Sequence, residues 1–189
     1  MENLCEKVKI IACEVGEYLK TEQQLLNKKD IELKGTRDYV TYIDKEAENR
    51  LINKLKGIFP NSSFLAEEET VEFKETEYTW IIDPLDGTTN YVHGDSPYSV
   101  SIALKHENEI VLGVVYDPLA DQMFSAISKG KAYLNGSLLE VSQHATLKNA
   151  YIGFGIPYKL DEQGEQILKN AAEQFRNSSF RIKGSAAVE

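Results

Sequence analysis

Basic residues are in short supply in this chain: 21 Lys and Arg stand against 30 Asp and Glu, a net charge of −9. That balance argues against nonspecific nucleic-acid binding, which relies on basic patches. An anionic ligand would have to be drawn in by bound cations rather than by the overall field. No apolar run approaches the roughly 20 residues of a membrane span. The N-terminus is punctuated by acids, unlike a signal peptide. Cysteine is scarce too, with two in all. Cys5 and Cys13 fall on one predicted helix, about 12 Å apart at its usual rise, too far to bridge. Free thiols in a reducing cytoplasm are the expectation. Internal repeats, low-complexity tracts and flexible linkers are missing as well.

What is present suits a folded protein. A length of 189 residues fits one domain, or one and a fraction, and 42% apolar with 27% charged residues is an ordinary globular balance. Leu4, Val8, Ile11, Val15 and Leu19 recur at helical spacing, which predicts an amphipathic helix from residue 2 to about 26. A loop with Lys34, Gly35 and Arg37 leads to a second helix. Val40, Ile43, Ala47, Leu51 and Leu55 mark it, and Pro60 stops it. The period then changes to alternation. Val100, Ile102 and Leu104 share a strand face, and strands follow at 110–116, 123–128, 132–134 and, across an Asn135-Gly136 turn, 137–141. This is an antiparallel meander packed on two helices. A new unit starts at Tyr151: a strand, a helix near 161–176, a strand at 179–182 and the start of another helix.

The chemistry concentrates in Trp80-Ile81-Ile82-Asp83-Pro84-Leu85-Asp86-Gly87-Thr88-Thr89-Asn90-Tyr91. Trp80, Ile81 and Ile82 form a buried strand, and Pro84 ends it because it lacks an N–H for the ladder. Residues three apart on a continuous strand point to opposite faces. A kink at Pro84 turns Asp83 and Asp86 toward one spot, with the Leu85 carbonyl between them. The amides of Gly87, Thr88 and Thr89 then lie free at a helix start, a ready anion site. Carboxylates for a hard cation beside amides for a phosphate is the layout of a metal-dependent phosphatase. The competing reading is an ordinary acidic turn with a helix cap.

Two acids upstream bear on that choice. Glu67, in Phe64-Leu65-Ala66-Glu67-Glu68-Glu69, sits at the end of a short strand over 63–66, where active-site residues are often presented. The run of Glu69, Glu72, Glu75 and Glu77 reads instead as a solvated acidic loop. Asp44, in Thr41-Tyr42-Ile43-Asp44, fits a capping box before the second helix, and that local reading competes with a catalytic one. His93 reads as structural, and Cys5, Cys13, His106 and His144 carry no site signal. Asp83-Pro84-Leu85-Asp86 lacks the Asp-x-Asp spacing of a phosphohydrolase that uses an Asp nucleophile.

Three ordered segments, Asp38-Tyr39-Val40-Thr41-Tyr42-Ile43-Asp44, Leu65-Ala66-Glu67-Glu68 and the block 80–94, resemble the signatures of the inositol monophosphatase family. That family belongs to the lithium-sensitive, magnesium-dependent sugar phosphatases. The likeness reaches the end of the chain, where Gly184-Ser185-Ala186-Ala187 resembles a further family segment. Phosphatases of adenosine bisphosphate differ in carrying Lys-Glu after the Gly-Thr, where this chain has Thr89-Asn90. Ala66 stands where the family usually has Gly.

The resemblance implies an α+β chain with a layered α-β-α-β-α fold. Residues 1–146 would form the site-bearing N-terminal domain, with helices on an antiparallel sheet, and 147–189 the first part of a C-terminal α/β domain. It implies hydrolysis of inositol monophosphate or a related small sugar phosphate monoester, with Mg2+ as cofactor, in a cytoplasmic homodimer without nucleic-acid or membrane partners. Glu67, Asp83 and the Leu85 carbonyl would hold one metal, and Asp83 with Asp86 the second. Asp86 and the amides of Gly87, Thr88 and Thr89 would bind substrate. By resemblance, Asp44 and Thr88 orient and deprotonate the attacking water, with Glu67 assisting and Glu68 one layer behind.

Family members continue past Ala187 to a Trp-Asp motif whose Asp is another ligand, and these 189 residues contain no such motif. The expectation is therefore an apolar face left uncovered in the second unit, lowering stability or promoting association. The alternative function is an inactive homologue, or a non-catalytic fragment acting through protein contacts.

Overall fold

The computed structural model describes residues 1–25, 31–33, 39–74, 76–143, 146, 150–153, 155, 161–174 and 179–188. The predicted loop residues Lys34, Gly35 and Arg37, together with Asp38 and His144, lie outside this set. So do 147–149, where the domain boundary was placed.

Helix α1 (Glu2–Leu25) buries Val8, Ile11, Val15 and Leu19 of the stripe that its spacing predicts, with Cys5 and Ala12 beside them, while Leu4 is only half-buried. Two short strands follow, β1 (Ile31–Leu33) and β2 (Tyr39–Thr41), paired antiparallel. Val40, expected in the second helix, is therefore in β2. Helix α2 (Tyr42–Ile58) starts two residues later and ends before Pro60. A β-branched residue satisfies either pattern, so Val40 alone did not mark the boundary. The buried stripe of α2 is Ile43, Ala47, Leu51, Ile52 and Leu55, and it also contains two acids, Asp44 and Glu48.

Strands β3 (Ser63–Ala66) and β4 (Tyr78–Asp86) come next, followed by helix α3 (Thr88–His93). The meander continues through β5 (Ser99–His106), β6 (Glu109–Asp117), β7 (Gln122–Ile127), β8 (Ala132–Leu134) and β9 (Ser137–Leu138). Among the described residues these strands form one seven-stranded sheet in sequence order, β3 to β9. The pairing from β4 onward is antiparallel, and β3 is added parallel to β4 at one edge. Strand β9 stops at Leu138, short of the predicted 141. The turn into it has positive φ at both Asn135 (49°) and Gly136 (78°), the backbone that Asn-Gly favours in a tight hairpin.

The two long helices lie against the sheet. Val8, Val15, Leu51 and Leu55 close with Trp80, Ile82, Val100, Ile102, Leu104 and Val114 into one core. In the second unit, β10 (Tyr151–Gly153) and β11 (Ser179–Arg181) pair in parallel, with α4 (Glu162–Gln174) between them in sequence. Among the described residues, no helix is long and apolar enough to cross a membrane.

Candidate active site

The site is built at the C-terminal ends of the parallel pair β3 and β4. Strand β4 does not stop at Pro84: it runs on to Asp86 through an irregularity. Asp83 stands opposite Ser101 and Asp86 opposite Ser99, so β4 places two residues, Pro84 and Leu85, where β5 places only Val100. Proline is tolerated there because a bulge needs no ladder donor from it. The extra residue has a geometric effect. Ser99 and Ser101 are two apart and share a face of β5, so Asp83 and Asp86 are brought to one face of the sheet as well.

Glu67 reaches the same place from β3. The parallel register pairs Ala66 with Ile82, and the next step aligns Glu67 with Asp83. The two carboxyl groups are neighbours, and the Asp83 carboxyl is pushed up to about 8. Burial is the main cause, followed by the charges of Glu67 and Asp86, while the Leu85 amide opposes the shift. That amide donates to Asp83 Oδ1 at 3.0 Å. Among the described residues, no three or more His, Cys, Asp and Glu side chains are gathered closely enough to hold an ion by themselves. Glu67 and Asp83 form the pair, and Asp86 turns elsewhere.

Asp86 faces the second unit. Its Oδ2 accepts from the Ser185 hydroxyl at 2.5 Å and from the Ala187 amide at 2.8 Å. Ser185 is fully buried, and its Oγ lies 3.2 Å from Ser99 Oγ. Asn90 Nδ2 adds two more bonds to this junction, to the carbonyls of Pro97 (2.8 Å) and Lys183 (2.7 Å). The segment 183–187 is thus stitched to the turn at 86–90.

Gly87 makes that turn, with φ 94° and ψ 34°. A Cβ there would sit 3.0 Å from the Pro97 carbonyl oxygen and 3.2 Å from that of Gly184. Helix α3 follows, and its Tyr91 amide donates to the Gly87 carbonyl at 3.0 Å. The amides of Thr88, Thr89 and Asn90 precede that bond and have no place in the helical ladder. The Thr88 hydroxyl donates to the Leu85 carbonyl at 3.1 Å. Helix α3 is fastened to α1 by Gln23 Nε2 on the Tyr91 carbonyl (2.9 Å) and by the Tyr91 hydroxyl on the Leu19 carbonyl (2.8 Å).

Asp44 lies in the first turn of α2 and is buried; the phenol of Tyr91 is pushed up chiefly by burial, with Asp44 among the neighbouring charges that add to it. Glu68 points its amide at the Glu48 carboxylate. His93 is exposed at the end of α3. His106 stacks on Tyr78 at 4.4 Å and reaches Glu77 at 3.1 Å, a surface arrangement away from the acids of the bulge.

The model of the inositol monophosphatase family matches residues 2–189. This chain belongs to the inositol monophosphatase family. Its relatives include a protein of Aquifex aeolicus named fructose-1,6-bisphosphatase/inositol-1-monophosphatase, 35% identical over all of this chain and 73% of that protein. Inositol monophosphatase 2 of Solanum lycopersicum is 40% identical over 85% of this chain and 63% of its own length. The Nus factor SuhB of Vibrio cholerae is 37% identical over 82% of this chain and 59% of its own. The chain thus spans between 59% and 73% of the length of these relatives. Among solved structures, an IMPase of Thermotoga maritima superposes with a TM-score of 0.84 at 30% identity, covering 100% of this chain and 70% of that one. The SuhB protein of Bartonella henselae gives 0.84 at 32% identity, covering 97% and 71%.

For this family member, sequence reasoning missed Glu48, Ser185 and Ala187 as neighbours of the candidate site. Glu48 has the appearance of one more charge on an amphipathic helix. Its one sequence signal is its position on the apolar stripe, four residues after Asp44.

Proposed function

We propose that this chain is the site-bearing part of a Mg2+-dependent phosphatase that hydrolyses monoesters of inositol or a related sugar. The observation that carries the reading is the register that brings Glu67 beside Asp83, with Asp86 on the same sheet face and the start of α3 immediately beyond. Such crowding favours a hard cation, since carboxylates that repel one another are relieved by positive charge. Magnesium suits a site of this kind because it needs only one or two carboxylates and completes its shell with water and substrate oxygens. Glu67, Asp83 and the Leu85 carbonyl would hold one ion. Asp83 and Asp86 would hold a second, Asp86 through the oxygen not engaged by Ser185 and Ala187. Cations bound there would lower the pKa of water and stabilise the leaving oxygen.

The protein groups do the rest. Amides of Gly87, Thr88 and Thr89 would take the phosphate oxygens at the helix start. Thr88, released from the Leu85 carbonyl, would orient the attacking water, and Asp44 would accept the proton passed through the Thr88 hydroxyl. Water oxygen bonds to phosphorus, the ester P–O bond breaks, and the alcohol leaves after taking up a proton.

The experiment is phosphate release from inositol 1-phosphate across a Mg2+ titration by this chain extended with a relative's C-terminal segment, with Asp86→Asn beside the wild type. The expected result is Mg2+-dependent turnover that the folded variant loses by about 10²-fold or more. Turnover independent of Mg2+, or kept by Asp86→Asn, would overturn the assignment. A folded wild type that releases no phosphate at any Mg2+ concentration would favour the non-catalytic reading.

A further inference from the structure

Glu48 is fully buried, in the middle of the apolar stripe of α2. A carboxylate there is costly unless donors surround it. Three do, and all come from one short stretch. Oε2 accepts from the Glu68 amide at 2.7 Å, and Oε1 accepts from the Thr70 amide at 2.9 Å and the Thr70 hydroxyl at 2.6 Å. That stretch is the turn that presents Glu67.

The turn is weakly closed by its own backbone. Its internal bond, from the Glu69 amide to the Ala66 carbonyl, is long at 3.4 Å. Glu69 sits at φ 51°, a left-handed conformation that non-glycine residues adopt at a cost.

We infer that Glu48 is a positioning residue, whose buried carboxylate pins the 68–70 turn so that Glu67 stays beside Asp83. Glu67 is bracketed on one side by Ala66, held in the β3–β4 ladder, and on the other by Glu68, held by Glu48. Asp44 stands one helical turn before Glu48, so a single rigid helix spaces the candidate proton acceptor from the acid turn. The inference rests on the reading of Glu67 as an ion-holding residue.

The test uses Mn2+ as the probe, with free ion counted by its paramagnetic resonance signal during titration of the full chain. Glu48→Gln keeps the shape but replaces one accepting oxygen with an amide that cannot accept. The variant should stay folded and lose about 10-fold or more in Mn2+ affinity, the usual scale for removing a group that orients a ligand. Raising Mg2+ should then recover part of its phosphate release. A folded Glu48→Gln that binds Mn2+ as tightly as wild type overturns the inference and leaves the functional reading intact. If wild type itself binds no Mn2+, the functional reading falls and takes the inference with it. Thr70→Val decides the matter should Glu48→Gln not fold. It removes only the hydroxyl donor and should weaken Mn2+ by roughly 2- to 5-fold, and unchanged affinity overturns the inference.

Discussion

Asp83→Asn should make the cation-free protein more stable at neutral and mildly alkaline pH. The Asp83 carboxyl is held at about 8, against 3.8 for an unperturbed group. Across that window the folded state keeps a proton that the unfolded chain has released, so stability falls as pH rises from about 4 to about 8. At pH 7 the full shift corresponds to about 4 kcal/mol, from roughly 3 pH units at 1.36 kcal/mol each. Sharing of the proton with Glu67, and water at the rim of the site, bring the expected gain down to about 2 kcal/mol. Asn removes the charge while its side-chain oxygen still accepts from the Leu85 amide, now at 3.0 Å. For a chain of this size the gain is a rise in Tm of about 4–8 °C. Thermal unfolding in chelator at pH 8 and at pH 4 is the assay. The difference should be present at pH 8 and vanish at pH 4, where both chains carry a neutral group. Saturating Mg2+ should reverse the order, because only the wild type keeps the ligand. A variant no more stable than wild type at pH 8, or equally stabilised at both pH values, refutes the reasoning.

Asp44→Asn separates a structural role from a proton acceptor: it keeps the size of the side chain and should cost roughly 1 kcal/mol of stability, while lowering turnover by about 10²-fold. Near-normal turnover with a slightly lower Tm would make Asp44 structural. Gly87→Ala should destabilise the fold by roughly 2–4 kcal/mol, combining the left-handed backbone with pressure on two carbonyl oxygens. Denaturant unfolding reads this directly, and a loss below about 0.5 kcal/mol would show that the turn relaxes freely.

The elements legible in the sequence are those whose cause is local. The stripe of α1 follows from a spacing that a helix alone can bury, and the Asn135-Gly136 turn from two residues that accept positive φ. The alternation along β5 and β6 follows from one face being covered. Val40 shows the limit, because β2 exists through its partner strand, on which the residue itself is silent. The acids of the site were legible as candidates, Asp83 and Asp86 by their place after a buried strand and Glu67 by its strand end. How they are held was not. Ser185 lies 99 residues from the carboxylate it bonds, and Glu48 lies 20 from the amide it accepts. No window of periodicity spans such distances. Pro84 reads in the sequence as a strand end, because proline signals a missing donor and not whether the chain resumes its ladder afterwards.

The extra residue in β4 works as a phase shift. A strand keeps a two-beat rhythm, inside then outside, and an added residue moves everything downstream by half a period. Upstream of Pro84 the rhythm is set by Trp80 and Ile82 facing the core. Downstream it is set afresh by Asp86 opposite Ser99. The segment between them is therefore sensitive to its count more than to its composition. Exchanging Leu85 for another apolar residue leaves both acids in step, whereas removing one residue sends Asp86 to the far side of the sheet with every side chain still intact. Length is the variable this stretch cannot change.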